Sequence, residues 1–138
     1  MITNLEQYFE NDYPFYLNKI NFVRLAQEPT EEEIALNCQD SISTTVNDKG
    51  VTLLVTRKLC CDPNILFELE VSFGAELTFK QERKEEVDWK NIELADEFKR
   101  NGGILLQNMM SRISLLIGQI TGSFGQMPLI TPPGIPNE

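Results

Sequence analysis

Between Ile65 and Phe79 every second residue is apolar. Ile65, Phe67, Leu69, Val71, Phe73, Ala75, Leu77 and Phe79 alternate without a miss, and Glu68, Glu70, Ser72, Gly74, Glu76 and Thr78 stand between them. Eight apolar residues at a period of two would scatter around a helix axis, so the segment has to be a strand with one apolar face. Fully extended it reaches roughly 50 Å at about 3.3 Å per residue, longer than most strands, so it must twist or bend. Gly74 is the expected place for a bulge.

The same period governs the residues before it. Ile34, Leu36, Cys38, Ile42 and Val46 fall at even positions, and Val51, Leu53, Val55 and Leu59 at odd ones. Asn47-Asp48-Lys49-Gly50 supplies a turn between the two sets, with glycine available for a positive φ, and Asp62-Pro63-Asn64 supplies the next turn. Partial alternation at Tyr16, Ile20 and Phe22 predicts a first strand over Tyr16–Leu25. Residues 1–15 read as poorly ordered, and Ala26–Glu33, with Pro29 and three glutamates in a row, reads as a loop. The expectation is a four-stranded antiparallel meander with one apolar and one acidic face.

Helices follow the strands. Beyond the charged stretch 80–88, a short helix is expected from about Trp89 to Arg100, ended by Asn101-Gly102-Gly103, whose glycines tolerate a left-handed backbone. A longer helix is expected from about Ile104 to Thr121. Leu106, Met109, Met110, Ile113, Leu116, Ile117 and Ile120 give it a broad apolar stripe, and Arg112 is its single charge. Its other face carries Gln107, Ser111, Ser114, Gly118 and Thr121. A helix with one side in water normally carries several charges there, so this composition predicts burial on two sides. Gln107, Ser111, Ser114 and Gly118 are accordingly the expected interface with a second copy. The tail from Gly122 to Pro136 has four prolines and no charge and predicts an extended, polyproline-like loop. The fold class is α+β, in one domain over residues 1–138, with 137–138 as loosely held as 1–15.

Composition narrows the function. The net charge is −9, from 21 acidic against 12 basic residues, which disfavours nucleic acid and anionic membranes as partners. No apolar run approaches the roughly 20 residues of a membrane span, and the N-terminus does not read as a secretory signal. Three cysteines without framework spacing, of which Cys60 and Cys61 are adjacent, predict small buried thiols in a reduced, cytoplasmic chain. There is no histidine, which removes the commonest general base and metal ligand. No nucleophile elbow, P-loop, zinc-protease helix or paired CxxC motif appears. Gly102-Gly103 reads as helix punctuation, and Cys60, despite Arg57 and Lys58 nearby, as a strand-end thiol. The carboxylates read as solvated surface. No catalytic residue, cofactor or metal is expected.

The segment VTLLVTRKLCCDPNILFELEVSFGAELTF resembles the central hairpin of the SecB export-chaperone family. The segment NGGILLQNMMSRISLLIGQITGSFGQMPLITPPGIP resembles that family's long helix, glycine-marked exit and Leu-x-Pro-Pro-type loop, with Pro128-Leu129-Ile130-Thr131-Pro132-Pro133 as its most particular part. The resemblance spans most of residues 16–136. It implies a non-enzymatic protein that binds unfolded or non-native polypeptide, assembled as a homotetramer, a dimer of dimers with long helices between the sheets. Carried over residue by residue, the groove falls on Ile34 and Leu36 of the second strand, Leu106 at the helix start, and Met127, Leu129, Ile130 and Ile135 of the loop. All seven also read as ordinary core, and for Leu106 that is the preferred reading. The family's further C-terminal helix and SecA-contacting tail have no counterpart after Pro136-Asn137-Glu138, so SecA contact is not expected. Two other readings fit the same residues. One is a structural adaptor for a single folded partner. The other is a hot-dog-type acyl-thioester enzyme, in which the central helix precedes most of the long strands.

Overall fold

The computed structural model describes residues 4–25, 35–62, 66–123 and 128–133. Four strands, β1 (Phe15–Leu25), β2 (Ala35–Val46), β3 (Gly50–Asp62) and β4 (Leu66–Thr78), form one antiparallel sheet in the order β1-β4-β3-β2. The meander runs through β2, β3 and β4, and β1 closes on the far side of β4 in a Greek-key arrangement. Two helices follow, α1 (Leu94–Asn101) and α2 (Gly103–Gly122). Both come after every strand, opposite to the order that the hot-dog reading requires.

Alternation in the sequence becomes alternation in burial. Val51, Leu53, Val55, Leu59, Leu69, Val71, Ala75 and Leu77 are buried beneath the helices, where Met109, Met110, Ile113 and Ile117 of α2 meet them. The opposite face carries Thr52, Thr56, Glu68, Glu70, Ser72 and Glu76, and Thr56 Oγ1 donates to Ser72 Oγ at 3.1 Å. Thr52 Oγ1 and Tyr16 Oη both donate to the Glu76 carboxylate, at 2.7 and 2.8 Å. The bond to Glu76 holds the Tyr16 phenol above its ordinary pKa, with burial adding to the rise.

Gly74 is not the bulge. The register slips between Leu17 and Lys19, so the extra residue is Asn18 of β1. A Cβ on Gly74 would stand 2.5 Å from Cζ of Tyr16, so this glycine instead leaves room for the tyrosine ring lying across it. Gly50, expected to need a positive φ, is required for another reason: a Cβ there would meet the Leu77 carbonyl oxygen at 1.7 Å. The turn before it is set by Asn47, whose Oδ1 accepts from the amides of Lys49 and Gly50. Gly103 does adopt the left-handed backbone, at φ 60°.

The N-terminal segment is part of the core rather than loosely held. Leu5, Tyr8 and Phe9 are buried, the first two on a short 3-10 turn, and Phe9 stacks on Phe79 and lies against Trp89 and Phe98. Trp89 belongs to this aromatic cluster, and its indole donates to the Lys84 carbonyl. That explains why α1 starts at Leu94 and not at Trp89. Five residues further back the chain is already committed to a turn. The expectation of buried cysteines holds for Cys61 alone: Cys60 is half-buried and Cys38 is exposed on edge strand β2.

Glu6 ties the two ends of the chain together. Its Oε1 accepts from the Leu105 amide at 2.7 Å, 99 residues away, and so satisfies one of the orphan N–H groups at the start of α2. A carboxylate there also complements the positive end of the helix dipole. Replacing Glu6 with Ala is expected to cost about 0.5–2 kcal/mol of stability, the usual range for a lost cap. Urea unfolding checks this, with a lowered midpoint at unchanged slope.

Candidate polypeptide-binding groove

The helix-facing side of β2 and β3 should be apolar throughout, yet position 57 on β3 is arginine and position 40 on β2 is aspartate. The turn at 47–50 fixes the register so that the two residues are direct partners. Arg57 Nε donates to Asp40 Oδ1 at 2.7 Å and Nη2 to Asp40 Oδ2 at 2.8 Å, a bidentate pair. The Arg57 side chain is 0% exposed and that of Asp40 6%. Burial acts to lower the arginine pKa, but the hydrogen bonds and charge of Asp40 outweigh it and the net shift is upward. Neighbouring Cys38 stands on the exposed edge, yet partial desolvation of its sulfur outweighs the pull of Arg57 and raises its thiol pKa.

Residues 128–133 cover this ion pair. They return from the end of α2 along its flank as a strap, held at both ends. The Leu129 amide donates to Thr121 Oγ1 at 2.8 Å. Ser114 Oγ donates to the Thr131 carbonyl at 2.6 Å, and Thr131 Oγ1 donates back to Ser114 Oγ at 3.1 Å. Arg57 Nη1 donates to Thr131 Oγ1 at 2.9 Å and makes a short bond to the Pro132 carbonyl. The guanidinium thus spends its inner edge on Asp40 and its outer edge on the strap.

Two small residues of α2 admit the strap closely. A Cβ on Gly122 would lie 3.1 Å from Pro128 Cγ, and Gly118 faces Leu129 and Ile130. Between the outer side of α2 and the strap lies an apolar groove of about 530 Å³. Gly118 and Gly122 line it, with Pro128, and Leu115 and Ile130 stand at its edges. Leu115 is 64% and Ile130 85% exposed. Leu115 also borders a second groove of about 460 Å³ on the β1 side of the helix, where Arg112 lies over the Phe15 ring at 5.2 Å from its centroid. Further apolar side chains, Leu17, Ile20 and Phe22, are exposed along edge strand β1.

The residues expected from sequence divide as follows. Ile130 and Leu129 sit together on the strap, the first exposed and the second half-buried against the core. Leu36 is 42% exposed on edge strand β2, two positions from Cys38 on the helix-facing side. Leu106 is buried and packs in the core. Ile34, Met127 and Ile135 lie outside the described residues. Of the interface candidates, Gln107 and Ser111 are exposed on α2, whereas Ser114 and Gly118 face the chain's own strap. Sequence reasoning missed Arg57, Asp40, Thr121, Thr131 and Leu115. A signal existed for the ion pair: Asp40 and Arg57 are both breaks in the apolar alternation, and one turn puts them opposite each other.

Among the described residues, no three Cys, Asp or Glu side chains gather in a metal-holding group, and no helix is long and apolar enough to cross a membrane.

Removing one partner of the buried pair leaves the other charged and unpaired. Arg57→Met is therefore expected to destabilise the protein by about 3–5 kcal/mol, while the double variant Arg57→Met with Asp40→Leu recovers much of that loss. Denaturant melts of Arg57→Met, Asp40→Leu and the double variant measure the difference, and a double loss equal to the sum of the two single losses would mean that the pair is not coupled.

Comparison with known proteins matches the fold. The structure is similar to the SecB-like chaperone Rv1957 of Mycobacterium tuberculosis, solved in complex with a ChAD peptide from the Rv1956 HigA1 antitoxin, with a TM-score of 0.69 at 11% identity over 93% of this chain and 88% of that one. No family model matches the sequence, and no curated protein does. At this identity the likeness concerns architecture: a four-stranded antiparallel sheet followed by two helices, which is a SecB-like fold.

Proposed function

We propose that this chain is a non-enzymatic, chaperone-type protein that captures unfolded or non-native polypeptide in the groove between α2 and the strap. The observation that carries the reading is the pair Leu115 and Ile130, large aliphatic side chains exposed on the two walls of an apolar groove. Exposed apolar groups that bound a concave apolar surface are what a binding site for apolar side chains requires. Leu36 and the β1 row Leu17, Ile20 and Phe22 offer further places for a long client to rest. The similar fold of a chaperone solved with a bound peptide supports the same reading. A net charge of −9 adds attraction for cationic unfolded segments.

Self-association belongs to the proposal. On α2, Ile104, Asn108 and Ser111 recur at helical spacing along the outer side, and Ile104 is 64% exposed. This outer stripe, with Gln107 beside it, is a better candidate for contact with a second copy than Ser114 and Gly118, which the strap already faces. A homo-oligomer working in the cytoplasm completes the reading. Light scattering at micromolar concentration is expected to give a multiple of the monomer mass, and a stable monomer would remove the self-association claim.

Leu115→Ser combined with Ile130→Ser tests the groove. Burying one aliphatic side chain on binding is worth about 1.5–3 kcal/mol, so the double variant is expected to lose about tenfold or more in affinity for a reduced, unfolded polypeptide. Both side chains are exposed, so the melting temperature is expected to stay close to that of the wild type. Unchanged affinity would place the binding surface elsewhere, along Leu36 or the β1 row. Tight binding of one folded protein without capture of unfolded chains would favour the adaptor reading.

A further inference from the structure

The strap is held chiefly by its main chain. The Leu129 amide, the Thr131 carbonyl and the Pro132 carbonyl are taken by Thr121 Oγ1, Ser114 Oγ and Arg57 Nη1 respectively. Ser114 and Thr121 lie seven residues apart on α2, about 10 Å at ~1.5 Å per residue. The three residues from the Leu129 amide to the Thr131 carbonyl cover that distance only when extended, at about 3.3 Å each. The flank of α2 and the middle of β3 therefore form a slot for an extended segment, read through backbone donors and acceptors. Such contacts carry little sequence preference, because any extended polypeptide repeats the same groups at the same spacing.

The apolar share of the attachment is small. Ile130 is 85% exposed, with its Cδ1 near Gly118, and Leu129 is half-buried. Beneath the strap lies the Arg57–Asp40 pair, and lifting the strap returns these charges to water, whose hydration offsets much of the hydrogen bonding lost. A segment fixed by polar bonds over an ion pair is exchangeable in a way that a segment fixed by a buried leucine plug is not.

The geometry points to the strap as a built-in competitor: the slot that holds residues 128–133 is the backbone-reading part of the polypeptide site, and an extended client segment enters it by displacing the strap's main chain, with Ile130 of the lifted strap closing over the client opposite Leu115. This inference rests on the polypeptide-binding reading above and adds where the client's main chain lies and what controls access to it. The apparent affinity of such a site is its intrinsic affinity scaled by the fraction of molecules with the strap lifted. Loosening the strap at a residue that belongs to the strap alone must then tighten binding.

Thr131 is such a residue. Thr131→Val keeps the side-chain shape, removes the donor to Ser114 and the acceptor for Arg57, and leaves Arg57, Asp40, Ser114 and Thr121 in place. The probe is dye-labelled, reduced and carboxymethylated α-lactalbumin, read by fluorescence anisotropy against the full-length protein. The Thr131→Val variant is expected to bind about five- to tenfold more tightly than the wild type, from two hydrogen bonds removed from the closed state. Thr131→Ser, which keeps the hydroxyl, is expected to match the wild type. Should Thr131→Val lose its fold, amide exchange on the wild type answers the same question. The Leu129 amide, bonded to Thr121 in the closed state, is expected to exchange faster at probe saturation. Equal or weaker binding by a folded Thr131→Val, or a Leu129 amide that stays protected at saturation, overturns the competitor inference and leaves polypeptide binding standing. No binding by the wild type and both variants overturns the two together.

Discussion

A buried arginine facing a buried aspartate side chain organises the strap side of this molecule. Arg57 stands where the alternation of β3 calls for an apolar side chain, and the sheet accommodates it because Asp40 on β2 meets it fork to fork. A guanidinium has donors left over after binding one carboxylate, and here they reach outward to Thr131 and Pro132. The strap that closes over the ion pair through Thr131 and Pro132 also supplies Pro128 and Ile130 to the groove wall. Without the pair the strap would lose its anchor on the sheet, and without the strap the pair would not be buried. Stability and the shape of the groove thus depend on one set of bonds.

The same logic accounts for the uncharged outer side of α2. Its small residues at 114, 118 and 122 make room for a strap of the same chain, and its exposed aliphatic residues at 104 and 115 lie on the neighbouring side. One helix therefore has three kinds of contact: sheet below, strap on one flank, and an outer stripe open to another copy or to a client. Its poverty of charge follows from those roles.

The sheet was legible in the sequence because burial on one face writes a period of two, and β2, β3 and β4 carry it almost without interruption. The extent of α2 was legible from its apolar stripe and flanking glycines. What lacked a periodic signature was harder to read. Glu6 caps a helix that starts almost a hundred residues later, and nothing local to Glu6 announces this. Leu5, Tyr8 and Phe9 reach the core through an aromatic cluster assembled from four separate segments. On the strap, the proline-stiffened tail drew attention to Ile130, which lines the groove, and to Leu129, which packs against the core, whereas Leu115 sits off the apolar stripe and carries no such signal. Asp40 and Arg57 were readable in principle, since two polar breaks at paired positions of a hairpin imply each other.

A SecB-like fold with an exposed apolar groove beside a polar-bonded strap leads to one central claim: non-native polypeptide binds where α2 meets residues 128–133. Methyl NMR of the wild-type protein titrated with a reduced, unfolded polypeptide tests it most directly. The account predicts saturable shifts at the methyls of Ile130 and Leu115, with smaller changes at Leu17 and Ile20 of β1. Saturable binding that leaves Ile130 and Leu115 unmoved, or no binding at all, would contradict it.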